Sequence, residues 1–100
     1  MIGERLLASL PARLEAALAQ AAQEVAERAQ ELAPAQSGSL RSSIQAQGNS
    51  VTATAPHAAA LELGTQHTRA QPFLRPALLE LRERITQLVA QTIYEDMPHD

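Results

Sequence analysis

The residues best suited to chemistry in this chain are a histidine and a glutamate in the stretch HAAALELGT, residues 57–65. His57 and Glu62 are five positions apart, which places them about 140° apart around a helix. Two metal ligands on one helix face need a spacing of three or four. His67 lies in a predicted loop and His99 in the C-terminal tail, so neither supplies an obvious third ligand. We therefore expect no bound metal.

The serines and glycines also lack the arrangement that nucleophilic or phosphate chemistry requires. The run GSLRSS, residues 38–43, is not a strand–turn–helix nucleophile elbow, and no aspartate precedes position 96 to orient a histidine. Gly38 and Gly64 are isolated from other glycines, so neither glycine-rich phosphate-binding motif is present. The sequence predicts a protein with no catalytic residues and no cofactor.

The composition indicates a weak hydrophobic core. Apolar residues make up 45% of the chain, but many of them are alanines, and the only aromatic residues are Phe73 and Tyr94. Full burial of a Leu or Ile side chain stabilises a fold by about 1.5–3 kcal/mol, and alanine contributes much less. The isolated chain should therefore be marginally stable, which favours a subunit of an oligomer or a larger assembly.

Charge and residue usage restrict the partners and the compartment. A net charge of -3 and the absence of lysine disfavour nucleic-acid binding as the main role. Without cysteine there is neither a disulfide nor a thiolate zinc site. No apolar run is long enough to cross a membrane, and Glu4 and Arg5 do not fit a cleavable signal, so we expect a soluble protein.

The N-terminal third reads as one amphipathic helix. Apolar residues recur every three or four positions from Leu7 to Leu32, which predicts a helix over residues 1–33 that ends at Ala33-Pro34. Pro11 interrupts the pattern, so either a short first turn precedes it or the main helix begins near Leu10. A short coiled coil is the alternative use of the same stripe.

After Pro34, apolar and polar residues alternate along the chain instead of recurring with the helical period. The linker AQSGS leads into LRSSIQAQ and SVTATA, two alternating runs on either side of Gly48-Asn49, which together predict a β-hairpin over residues 38–56. A short helix over residues 57–64 should follow, with Leu61 and Leu63 inward and Gly64 as a left-handed cap.

The remainder is predicted to be a loop and a long helix. Residues 65–75 have no periodicity, and Pro76 should begin a helix over residues 76–96. Its predicted apolar stripe is Leu78, Leu81, Ile85, Leu88, Val89 and Ile93. The fold class is thus α+β, a single domain of residues 1–100 in which the C-terminal helix packs on one face of a small antiparallel sheet. A compact chain of this length has a radius of gyration of about 13 Å.

Three ordered blocks resemble a known family: LAPAQSGSLRSSI at 32–44, HAAALELGT at 57–65 and QPFLRPAL at 71–78. They are similar to the tail-component family of siphophages and prophages, typified by the tenth gene product of a lambdoid phage. The positions of the family pattern are taken here by Ala33, Pro34, Ser37, Gly38, Leu40, Arg41, Ser43, Ile44, Leu61, Glu62, Gly64, Thr65, Pro72, Phe73, Leu74, Pro76 and Ala77. His57 departs from the usual Tyr and Ser37 from the common Thr.

The resemblance implies a non-enzymatic virion protein at the head–tail interface or the top of the tail, acting in tail completion, tail termination or head–tail joining. It implies a ring, six-fold to match a tail tube, whose partners are further copies of the chain, the tail tube protein and neck or connector proteins. Genome DNA would pass through the lumen without specific binding, and assembly would occur in the host cytoplasm. The alternatives are another neck position, adaptor or stopper, and a small host-directed protein-binding module.

Some of these residues, together with Arg69 and Arg75, have expected structural or interface roles. Gly38, Gly64 and Pro76 are expected to act as joints between elements. Glu62, between two leucines, needs a donor if it is buried, and Arg41 or Arg75 could supply one; otherwise it is solvated. The loop TQHTRAQ, residues 65–71, is expected to be mobile in the free subunit and to order on assembly, with Arg69 meeting a neighbour. The candidates are Gly38, Leu40, Arg41, Glu62, Gly64, Thr65, Arg69, Phe73, Arg75 and Pro76.

Overall fold

The computed structural model describes residues 2–34 and 38–95, with side chains described from Ser9 onward. The chain combines helices with a two-stranded sheet, as the predicted α+β class requires. In chain order the elements are α1 (Ile2–Leu32), α2 (Gly38–Ser43), β1 (Ile44–Gln47), β2 (Ser50–Ala53), α3 (Ala58–Leu63), α4 (Leu74–Glu80) and α5 (Arg82–Glu95).

Helix α1 is continuous through Pro11, so a helix start near Leu10 is wrong. A proline inside a helix removes one backbone hydrogen bond and usually bends or ends the helix. Here nine residues of helix precede it, more than the short first turn that we considered as the alternative.

The hairpin is shorter than predicted because its first half is helical. Strands β1 and β2 pair antiparallel from Ile44 opposite Ala53 to Gln47 opposite Ser50, around the predicted Gly48-Asn49 turn. Gly48 has a φ of 58°, a conformation that favours glycine. Residues 40–43, which we predicted as strand, instead belong to α2.

The spacing of the apolar residues explains this error. Leu40 and Ile44 are both buried, and a separation of four positions puts them on one face of either a strand or a helix. A strand would also bury Ser42, but Ser42 is exposed and its hydroxyl donates to the carbonyl of Gly38 at 3.0 Å. Such a bond to the preceding helical turn is available only in the helical conformation.

The C-terminal helix begins earlier than predicted and has two segments. Helix α4 starts at Leu74, so Pro76 lies in its first turn rather than at its start. The chain departs from helical geometry at Leu81, where φ is -96° and ψ is 3°. Hydrogen bonds from Leu81 to Ala77 and from Ile85 to Leu81 nevertheless continue across this position. The distortion is therefore local.

Helix α1 is the central element of the fold. It contacts both strands and both C-terminal helices, and the amide of Gln30 donates to the carbonyl of Ile44 at 2.9 Å. Helices α4 and α5 make their main contacts with α1, rather than with the sheet on which we expected them. They run antiparallel to α1, as shown by the ion pairs Arg28–Glu80, Glu24–Arg84 and Arg13–Glu95.

The core is small and rich in alanine. Phe73, Leu40 and Ile44 are its largest fully buried side chains. The buried cluster consists of Val25, Ala26, Ala29, Ala33, Leu40, Ile44, Ala58, Phe73 and Ala77. The alanines let the neighbouring elements approach α1 closely, but they leave little large apolar surface inside the fold.

The molecule is elongated, with extents of 60 × 21 × 20 Å and a radius of gyration of 17.2 Å. The expected value for a compact chain was about 13 Å. The difference arises because α1 alone is about 46 Å long at 1.5 Å per residue. Within the described residues, no helix has the length and apolar character needed to cross a membrane.

Candidate functional site

Glu62 has three backbone donors. Its Oε1 accepts hydrogen bonds from the N–H groups of Phe73 at 3.1 Å and Leu74 at 2.9 Å, and its Oε2 accepts one from the N–H of Arg75 at 3.1 Å. The first N–H groups of a helix have no partner within the helix, and the positive end of the helix dipole favours a carboxylate there. Glu62 at the end of α3 therefore caps α4.

This arrangement corrects both expectations for Glu62. The side chain is partly buried, so it is not fully solvated, and its donors are main-chain groups rather than the guanidinium of Arg41 or Arg75. Arg41 instead donates from Nη2 to the carbonyl oxygen of Ala33 at 3.3 Å, where α1 has ended. Arg41 thus links α2 to the end of α1.

The loop between α3 and α4 is fastened at both ends. Next to the Glu62 contacts, the N–H of Gln71 donates to the carbonyl of Leu61 at 2.7 Å. At the other end, the N–H of Gly64 donates to the carbonyl of Ala60 at 2.8 Å. The Gln71–Leu61 bond joins the two ends of the loop, while the Gly64–Ala60 bond completes the last turn of α3.

Within the loop, Thr65 organises a turn. Its Oγ1 accepts from the N–H groups of His67 at 3.2 Å and Thr68 at 2.9 Å. Its own N–H donates to the carbonyl of Thr68 at 2.8 Å. The loop, which we expected to be mobile in the free subunit, thus has internal hydrogen bonds, and its Arg69 is exposed.

The two predicted glycine joints have different structural roles. Gly64 has a φ of 77° and a ψ of 165°, so its φ is positive as predicted but its ψ lies outside the left-handed helical region. A Cβ at Gly64 would lie 3.1 Å from the nitrogen and 3.2 Å from the Cβ of Ala70. Gly38 has no positive φ and open space around it, so the expected turn does not require glycine there.

The remaining predicted residues are core or helix-start positions. Leu40 and Phe73 are fully buried, and Phe73 precedes the first residue of α4. Pro76 is half-buried in the first turn of α4. The Arg75 side chain is exposed. The structure does not bring the ten candidates into one catalytic or ligand-binding constellation.

The histidines form no metal site in the part of the chain that the structure describes, where no group of three potential ligands occurs. His57 precedes α3 as its N-terminal boundary residue without a side-chain capping bond. His67 is exposed in the loop, and His99 lies outside the described residues.

The most distinctive surface is an apolar one that the sequence did not predict. Leu63 is 79% exposed, Leu78 52% and Leu79 53%, although Leu63 and Leu78 were expected to point inward. Leu63, Leu74 and Leu78 line one hollow, and Leu78 and Leu79 line an adjacent one. We call the four residues Leu63, Leu74, Leu78 and Leu79 the leucine face.

The leucine face continues into a groove along α1. The groove has a volume of about 360 Å³ and lies between the hairpin and the C-terminal helices. Its lining is Leu18, Ala21, Ala22, Val25, Asn49, Val51, Leu74, Leu78 and Ile85. A continuous apolar surface of this kind is typical of a protein–protein interface.

Comparison with family models confirms the resemblance to a tail-component family that the sequence suggested. Residues 4–65 match the model of a family described as "Bacteriophage HK97-gp10, putative tail-component". The match includes the first two sequence blocks and ends before the third. No curated protein and no solved structure matches the chain. Because the match covers more than half of the chain, the protein belongs to the HK97-gp10-like family of bacteriophage tail components.

Proposed function

We propose that this protein is a non-enzymatic structural subunit at the head–tail interface or at the top of the phage tail. In this role it completes or terminates the tail, or joins it to the head, as one member of a ring around the DNA channel. The observation that carries the proposal is a large exposed leucine face on a chain that belongs to a tail-component family.

The leucine face supports an assembled state because the free subunit leaves much of its large apolar surface in water. Leu63, Leu78 and Leu79 are each more than half exposed, while the buried core contains mainly alanine. Full burial of one leucine contributes roughly 1.5–3 kcal/mol, so covering these side chains would add substantially to the stability of a marginal fold. Contact with further copies or with tail proteins would provide that cover.

A closed ring fits the proposed position better than a dimer. A ring with a central opening requires the same contact to repeat between successive subunits, whereas a two-fold dimer closes after two copies. We propose six subunits, to match a six-fold tail tube. The tail tube protein lies on one side of the ring and neck or connector proteins on the other, and the DNA passes through without sequence-specific contacts.

The test is removal of the protein from an otherwise intact phage. After disruption of its gene, negative-stain imaging should show unjoined heads and tails or tails of abnormal length, and the wild-type gene supplied in trans should restore joined particles. Mass spectrometry of purified wild-type particles should detect the protein in the tail or neck fraction. Joined, infectious particles without the protein would refute the proposal. Its absence from wild-type particles would favour a host-directed binding module.

A further inference from the structure

The arginines whose side chains the structure describes, from Arg13 onward, fall into two groups. Those with an ion-pair or carbonyl partner are Arg13, Arg28, Arg41 and Arg84. Arg69, Arg75 and Arg82 are exposed and have no ion-pair partner among the described residues. All three belong to the segment that carries most of the leucine face. Arg75 lines one of its hollows and Arg82 the other. Glu62 lines the hollow with Arg75 but is bonded to main-chain N–H groups, and Glu83 follows Arg82 as an exposed carboxylate. The unpaired charge around the leucine face is therefore mainly, but not entirely, positive.

A second surface has the complementary character. Beside the hairpin turn, a hollow of about 450 Å³ is lined by Ala12, Glu15, Ala16, Ala19, Gly48 and Asn49. Its floor is made of small side chains, so it has room for larger ones. Glu15 is exposed and has no ion-pair partner among the residues the structure describes. We call this surface the α1 hollow.

We propose that the leucine face of one subunit docks into the α1 hollow of a second copy of the chain, with Arg82 next to Glu15 of that copy. The proposal rests on the ring in the proposed function and specifies which two surfaces form its repeating contact. Large apolar side chains meet a hollow of small ones, and unpaired positive charge meets an unpaired carboxylate.

The leucine face does not carry the surface that would complement it. It presents large apolar side chains and mainly positive charge, whereas the small side chains and the free carboxylate lie in the α1 hollow. In a contact between two different surfaces, each chain of a bound pair keeps its other surface free for a further copy. Such a contact therefore propagates from subunit to subunit and closes into a ring when the rotation permits.

Cysteine crosslinking tests the proposed contact directly, because the natural chain contains no cysteine. The two full-length variants are Leu79→Cys on the leucine face and Ala16→Cys in the α1 hollow. Under oxidising conditions at about 1 mM protein, a range that detects weak contacts, a mixture of the two should give a disulfide-linked heterodimer. Each variant alone should remain monomeric on a non-reducing gel.

The doubly substituted chain provides the test of propagation. Glu80 contacts Arg28, and Ala16 lies about 18 Å further along α1 from Arg28. A disulfide needs Cα atoms within about 7 Å, so the two cysteines cannot join within one chain. The double variant should therefore form a ladder of dimers, trimers and higher species.

Three results would overturn the proposed contact. Crosslinking of Leu79→Cys with itself would show that the leucine face meets another leucine face. Crosslinking of Ala16→Cys with itself would show the equivalent two-fold contact through the α1 hollow. Failure of the mixture to crosslink at about 1 mM protein would show that another partner covers the leucine face.

Charge reversal gives an independent readout from sedimentation of the cysteine-free chain. Arg82→Glu or Glu15→Arg alone should weaken self-association at least about tenfold, since each replaces an attraction with a repulsion. The double variant should recover most of the loss. Glu27→Arg, which reverses an exposed charge on α1 outside both surfaces, is the control and should associate like the natural chain. Additive weakening in the double variant would contradict the Arg82–Glu15 contact.

These results can be separated from those of the proposed function. A crosslinked ladder together with normal particles after gene disruption would retain the contact and reject the role in the tail. Defective particles together with no crosslink in the mixture would retain the role and reject the contact.

Discussion

Replacement of Glu62 by alanine tests whether its carboxylate holds α3 and α4 together. The substitution removes the acceptor for the N–H groups of Phe73, Leu74 and Arg75. Loss of a helix N-terminal cap costs about 0.5–2 kcal/mol, and loss of favourable charge at the helix dipole costs about 0.3–1 kcal/mol. Because Glu62 is partly buried and bonds three donors, we expect a loss of about 2–3 kcal/mol in the free energy of unfolding.

Two further variants make this measurement specific. Glu62→Gln keeps a neutral carbonyl acceptor for Phe73 and Leu74 but loses the negative charge and the bond to Arg75, so it should cost about 1 kcal/mol. Glu27→Ala is the control. Glu27 is exposed on α1 and accepts only from the Gln23 side chain, so its loss should stay within roughly 0.5 kcal/mol.

Urea and thermal unfolding measure these differences, and amide hydrogen exchange locates them. A loss of 2 kcal/mol in the free energy of unfolding should lower the midpoint of thermal unfolding by about 8–16 °C in a domain of this size. Exchange should accelerate first at the amides of residues 73–75. An unfolding free energy for Glu62→Ala equal to that of the Glu27→Ala control, with unchanged exchange at these amides, would refute the capping role.

Further predictions concern three other positions. Gly64→Ala should destabilise the fold by about 1–3 kcal/mol, because Gly64 has a positive φ and Ala70 lies close to it. Gly38→Ala in α2 should be neutral or stabilising. Chemical denaturation compares the stabilities of the two variants. Phe73→Ala should cost about 3–5 kcal/mol, since the side chain is fully buried, and a cost below 1 kcal/mol by the same method would contradict its role as a core anchor. The hydrogen bond from Arg28 lowers the pKa of the Glu80 carboxyl below its usual 4.5. The stability that this ion pair contributes is therefore complete above pH 4.5 and is lost as the pH falls through the lowered pKa. The stability difference between the natural chain and Arg28→Gln should therefore shrink in acid, and a difference independent of pH from 6 to 2 would contradict the ion pair.

The family and several local features could be predicted from the sequence. Gly48-Asn49 specified the hairpin turn because the positive φ at its first residue is readily adopted by glycine. The recurrence of apolar residues every three or four positions specified the amphipathic α1, and the ordered sequence blocks specified the family. These signals are local, or depend only on the order of residues along the chain.

Only the tertiary structure decided the features that depend on distant residues. Leu40 and Ile44 fit one face of a helix or a strand, and packing against α1 together with the exposure of Ser42 resolved that ambiguity. Glu62 could have bonded either of two arginines by residue type, but the return of the chain brought three unpaired backbone N–H groups to its carboxylate instead.

The leucine face is the clearest example of a feature that the sequence alone could not predict. Helical periodicity groups residues on one side of a helix, but it does not say whether another element will cover that side. Because α4 and α5 pack against α1 and leave part of their apolar surface uncovered, Leu78 and Leu79 remain exposed. The sequence by itself determined that this chain has amphipathic helices and belongs to a tail-component family, while the packing of those helices around α1 decided which apolar residues are left for a partner.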